Sequence, residues 1–131
     1  MGIEVNWLES RILLYRLVPP FTWEELNQSL SQAINLVKAV PDQKVGTLLE
    51  VKGIISIPHG SLQRGSQVLK LKPPNAGPVV LVQAHPVIKA FCGMVKMLHP
   101  PIGKLIYFAD DRASGLLLLR RVLKTKRPVQ E

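Results

Sequence analysis

Residues 78–83 run Pro-Val-Val-Leu-Val-Gln, a continuous apolar stretch with none of the alternation that marks a strand with one wet face. A strand of this kind is buried on both sides, the condition met in a parallel sheet with helices packed above and below it. The rest of the chain must therefore supply a cover for each face of a sheet.

The flanking segments have that character. Residues 4–9 and 11–18 are two short runs split by Ser10, the second placing Ile12, Leu14, Arg16 and Val18 on one face and Leu13, Tyr15 and Leu17 on the other. They predict an N-terminal antiparallel hairpin, ended by Pro19-Pro20, which donate nothing to a ladder. Thr22-Trp23-Glu24-Glu25 matches a capping box, with Phe21 and Leu26 placed to form a hydrophobic staple. Trp23, Leu26, Leu30, Ala33, Ile34 and Val37 then recur at helical spacing until Pro41-Asp42.

Residues 44–51 predict an interior strand, Gly53 its exit, and residues 54–60 an unusually apolar loop. A second helix is expected from Ser61 to about Leu71, followed by a Pro-Pro-Asn-Ala-Gly connector at 73–77 and the apolar strand at 78–83. His85-Pro86 opens a third helix, with Val87, Ile88, Phe91, Val95 and Leu98 expected inward and Pro100-Pro101 closing it. Residues 104–109 predict the last strand, and Asp110 is expected to cap a final helix from Asp111 to about Lys124.

The order β-β-α-β-α-β-α-β-α implies an α/β fold with a mainly parallel five-stranded sheet, right-handed crossovers and the antiparallel hairpin at one edge. A chain of 131 residues fits one domain. Residues 1–124 are expected to form it, with 125–131 a flexible basic tail.

The apolar run Leu116-Leu117-Leu118-Leu119 is closed by Arg120-Arg121, and no run approaches the roughly 20 residues of a membrane span. With Glu4 and Glu9 near its start the chain lacks the pattern of a signal peptide, so a cytoplasmic location is expected. The lone Cys92 beside Phe91 fits a reducing compartment and reads as a small buried hydrophobe. Net charge is +8, and no Asp or Glu occurs from Val51 to Ala109, where Lys52, Arg64, Lys70, Lys72, Lys89, Lys96 and Lys104 fall. Arg120, Arg121, Lys124, Lys126 and Arg127 follow, a field able to attract nucleic acid, anionic membrane or an acidic protein. With aromatic residues at only 5%, stacking platforms for single strands are scarce.

The Trp7 strand leading into residues 11–18, the capped Thr22-Trp23-Glu24-Glu25 helix, Leu48-Leu49-Glu50 and the 78–83 strand resemble, over residues 4–123, the small STAS-like domains. These are similar to the anti-sigma-factor antagonists and are sometimes grouped with the CRAL-TRIO lipid-transfer fold. The resemblance implies a regulatory interaction module, with an acidic residue at the end of the third strand and a phosphorylatable serine opening the second helix. Glu50 stands near the first position and Ser56 or Ser61 near the second, outside the antagonists' Asp-Ser-Ser-Gly context.

Ligands of open α/β sheets sit beyond the carboxyl ends of the strands, where the loops at 53–61, 83–86 and 109–111 converge. Ser56, His59, Ser61, Arg64, His85 and Asp110 are the candidate ligand- or partner-binding residues there. Ser61 and Asp110 also suit helix caps, and the two histidines suit helix entrances. Ser61, His85 and Asp110 have the residue types of a hydrolytic triad, but Ser61 lacks the Gly-x-Ser-x-Gly elbow. His59, His85 and His99 lack metal-ligand spacing, and residues 59–66 lack a nucleotide-binding pattern. Gly60, Ser61 and Arg64 could hold an anion at a helix start.

The expected function is thus a non-enzymatic interaction or regulatory module without a cofactor, binding a protein partner or itself. Two alternatives remain open: a carrier of a small apolar molecule or lipid, from the apolar 54–57 loop, and a nucleic-acid binder using the basic C-terminal helix. The Leu116 to Leu119 turn, apolar all round, is a further candidate for self-association.

Overall fold

The structure is a computed structural model, and the residues it describes are 2–56, 63 and 70–125. Strands β1 (Ile3–Glu9) and β2 (Ile12–Leu17) form the hairpin, followed by α1 (Trp23–Lys38), β3 (Val45–Glu50), β4 (Ala76–Val82), α2 (Pro86–Leu98), a short turn α3 (Pro100–Gly103), β5 (Ile106–Ala109) and α4 (Arg112–Thr125). The sheet order is β1-β2-β3-β4-β5, with β1 antiparallel to β2 and every other pair parallel. The predicted α/β fold and its edge hairpin are observed.

Strand periodicity divides the core in two. Ile12, Leu14, Leu48, Val80 and Val82 face α4 through Leu119 and Leu123. On the other face Leu13, Tyr15 and Val45 meet Ala33 and Val37 of α1, and Leu81 meets Ile88 and Cys92 of α2. The crossover helices α1 and α2 fall on one side, and the C-terminal helix α4 covers the second side. This two-sided cover explains the unbroken apolar character of β4.

Glycines set how closely α4 approaches. A Cβ on Gly115 would lie 2.6 Å from Leu48 Cδ1, and one on Gly46 would lie 2.9 Å from Leu119 Cδ2. Each layer thus leaves a gap into which a leucine of the other fits.

Several expectations need correction. Strand β4 begins at Ala76, so the last two residues of the expected connector are already in the sheet. The cap of α4 is Asp111 and not Asp110: Asp111 Oδ1 accepts the Ser114 amide at 2.8 Å, and its carbonyl accepts that of Gly115 at 3.0 Å. Helix α2 buries Ile88 as expected, together with Cys92, but Val87 and Leu98, also expected inward, are exposed. Of the 116–119 turn, expected to be apolar all round and exposed, Leu119 is fully buried, Leu116 and Leu118 pack against the core, and Leu117 is exposed. In the apolar loop, Ile54 packs in the core and Ile55 is exposed. Of the helix expected from Ser61, Gln63 is helical, Lys70 and Leu71 lie in a turn, and the remainder is outside the described residues.

Candidate functional site

An open cleft of about 480 Å³ lies at the carboxyl ends of β4 and β5, lined by Gln83, Ala84, Lys89, Phe108, Ala109, Asp110, Ser114 and Leu118. Its origin is topological. Helix α2 leaves β4 on one face of the sheet while α4 leaves β5 on the other, so the two helix starts diverge and leave a gap over the strand ends between them.

Gln83 closes β4 with φ of +58°, the only non-glycine residue at positive φ among the described residues. Its amide still donates to the Ala109 carbonyl oxygen at 3.1 Å, keeping the β4 and β5 ends in register. A left-handed residue that is neither glycine nor asparagine costs about 1 kcal/mol or more, and such residues concentrate where a backbone serves a site. Lys89 stands one turn into α2 with its Nζ 5.6 Å from the Phe108 ring centroid, and Lys96 Nζ approaches the same ring at 5.7 Å. The cleft therefore offers a cation, a carboxylate and two polar side chains beside an apolar strip of Phe108, Ala109 and Leu118.

Of the candidates read from sequence, Asp110 lines the cleft and its carboxylate is exposed. His85 caps α2, its Nδ1 accepting the Val87 amide at 3.1 Å, so this imidazole nitrogen is engaged in helix capping. Ser56 is exposed and is not part of the cleft lining. His59, Ser61 and Arg64 lie outside the described residues.

Sequence reasoning missed Lys89, Ser114, Phe108 and Leu118 as cleft residues. Lys89 was visible only as one member of a basic field, and the other three only as helix and strand residues. Gln83 was visible as a loop polar group, but its backbone conformation was not, because left-handed positions are usually signalled by Gly or Asn.

Other groups with chemical potential are committed to structure. Glu50, the residue near the acidic STAS-like position, takes a two-pronged ion pair from Arg112, with Nε at 2.6 Å and Nη2 at 3.0 Å, and lies 3.5 Å from Arg16 Nε. The Arg112 hydrogen bonds hold its carboxyl below the ordinary carboxylate range. Cys92 is buried, and burial pushes its thiol pKa up, away from the reactive thiolate. On α4, Arg120 is paired with Glu9, Nη2 to Oε1 at 2.6 Å, so one cation of the proposed nucleic-acid helix is neutralised on the sheet. Among the described residues there is no cluster of His, Cys, Asp and Glu suited to a metal ion, and no helix long and apolar enough to cross a membrane.

No protein-family model matches the chain, and no curated protein matches it in sequence.

Proposed function

We propose that the chain is a non-enzymatic, STAS-like interaction module that takes a polar group of a protein partner into the cleft over the ends of β4 and β5. The observation that carries this reading is the pattern of pairing. Glu4, Glu9, Glu50, Arg16, Arg112 and Arg120 are joined in ion pairs between neighbouring strands and between the sheet and α4. Lys89 and Asp110, which line the cleft, form no ion pair among the described residues. A cation and an anion left unpaired in a concave site suit a partner carrying complementary groups. The non-enzymatic part of the reading draws on the commitment of His85 to a cap and of Cys92 to the core.

Photo-crosslinking in cells tests it, with a photoreactive residue placed at Ser114 in the cleft or, as a control, at exposed Gln28 on α1. A discrete protein adduct from position 114, lost when Lys89→Glu and Asp110→Lys are introduced singly, is expected. The same adducts at both positions, or none at 114, would overturn the proposal.

A further inference from the structure

The parallel strands define two ends of the sheet, and charge is distributed unequally between them. At the carboxyl end both signs occur together: Glu50 with Arg112 and Arg16, and Lys89 near Asp110 around the cleft. At the amino end Lys44 precedes β3, Lys70 and Lys72 precede β4, and Lys104 precedes β5, whereas Lys96, in the last turn of α2, turns its ammonium toward Phe108. The nearest acidic residues are few. Glu9 is held by Arg120, and Asp42 lies in the turn after α1. In sequence the positive charge looked like a property of the second half of the chain, but the fold concentrates it at one end.

That end also carries exposed large apolar side chains, as the carboxyl end does at Ile55. Met97 is 82% exposed, Leu71 63% and Leu98 56%. Single exposed apolar residues are ordinary on any protein surface. Here two are consecutive at the end of α2, the third sits in the turn leading to β4, and lysines flank all of them. The α2 end is firmly placed, because Gly103 packs so closely on Lys96 that a Cβ there would lie 2.6 Å from Lys96 Cγ.

The chemistry of these residues distinguishes among polyanionic partners. Protein interfaces are anchored chiefly by Trp, Tyr and Arg, and non-specific single-strand binding uses aromatic stacking. The described residues from 70 to 104 contain no Trp, Tyr or Arg, and their one Phe, Phe91, is half-buried; of the arginines at this end, Arg11 donates to the Lys44 carbonyl oxygen at 3.1 Å and Arg120 is paired with Glu9. Flexible aliphatic tips within a ring of lysines suit a bilayer interface, where the tips enter the headgroup layer and the ammonium groups meet anionic lipid.

We propose that the amino end of the sheet docks reversibly on an anionic lipid bilayer, through Leu71, Met97 and Leu98 together with Lys70, Lys72 and Lys104. The cleft at the opposite end then faces away from the membrane and stays open to a partner. The two sites share no residue, so either can fail without the other.

Co-sedimentation of the full chain with phosphatidylcholine vesicles, with and without phosphatidylserine, tests the proposal. Binding is expected only with phosphatidylserine present, and it should weaken as salt is raised. Replacing Lys70 and Lys104 together by Glu should weaken it about tenfold or more. Met97→Ser with Leu98→Ser should weaken it comparably without lowering the thermal midpoint, since both side chains are exposed. Lys52→Glu, which changes charge equally at the carboxyl end, should leave it unchanged.

Absence of binding to phosphatidylserine vesicles would overturn the proposal. So would a Lys52→Glu effect equal to that of Lys104→Glu, which would mean net charge alone. If duplex DNA binds with the same dependence on Lys70 and Lys104, and the Met97 and Leu98 substitutions leave vesicle binding unaltered, the surface is a nucleic-acid site and the membrane reading is wrong.

Discussion

The Tyr15 hydroxyl on β2 lies 2.5 Å from Ser29 Oγ on α1, inside the layer between helix and sheet. Ser29 spends its one proton on the Leu26 carbonyl oxygen at 2.7 Å, so Tyr15 is the donor of the pair. Burial pushes the Tyr15 pKa up from 10.0 to about 12. Ser29→Ala should cost about 1–3 kcal/mol by leaving the phenol unpaired, and Tyr15→Phe about 1 kcal/mol. A folded pKa above the unfolded one means that this stability is fully present below about pH 10 and is lost as pH rises to about 12, by roughly 3 kcal/mol. Denaturant melts across alkaline pH check this, and the slope should flatten in Tyr15→Phe.

Acid should act through Glu50. Its lowered pKa, set first by the Arg112 hydrogen bonds, means that its contribution is complete above the ordinary carboxylate range. That contribution is lost as pH falls through the depressed folded value. Glu50→Gln should lower stability at neutral pH by about 1 kcal/mol, a modest figure because Arg112 is half exposed, and should flatten the acid limb of the stability profile. An unchanged acid limb would show that the ion pair contributes nothing.

Asn75 joins three segments. The two hydrogens of its Nδ2 are shared among the carbonyl oxygens of Val37 at 2.8 Å, Val40 at 3.0 Å and Gln43 at 3.1 Å, closing the C-terminal end of α1 against the start of β4. Asn75→Ala should cost about 1–2 kcal/mol. Asn75→Asp should cost more, because a carboxylate would face these carbonyls at the negative end of the helix. Chemical denaturation of the two variants should rank them in that order.

Two helix glycines should respond oppositely to alanine. Gly115→Ala drives a methyl toward Leu48, which is fully buried and cannot yield, and should destabilise by about 1–2 kcal/mol despite better helix propensity. A Cβ on Gly93 of α2 meets nothing within 4 Å, so Gly93→Ala should stabilise by about 0.5–1 kcal/mol. Thermal unfolding of the pair measures both signs in one experiment.

Much of the candidate site was hidden from sequence for identifiable reasons. Asp110 and Asp111 are equally good caps by residue type, and only the position at which β5 ends made Asp111 the cap and left Asp110 to the cleft. Lys89 acquired its role because α2 lies across Phe108 of β5. Asn75 looked like a turn residue, and its amide became a helix clamp because the β4 start pairs beside the β3 start.

What the sequence determined by itself is local. The capping box at Thr22 and Glu25 formed with both hydrogen bonds, at 3.0 and 2.7 Å, because its partners are three residues apart and need no tertiary context. The hairpin, the proline stops and the two-sided burial of β4 likewise follow from short-range periodicity and backbone chemistry. Tertiary structure decided which residues of α2 are buried, where the helices diverge to open the cleft, and that Lys44, Lys70, Lys72 and Lys104 gather at one end of the sheet. These depend on strand order, which brings residues tens of positions apart to the same end of the molecule, and no local pattern encodes that distance.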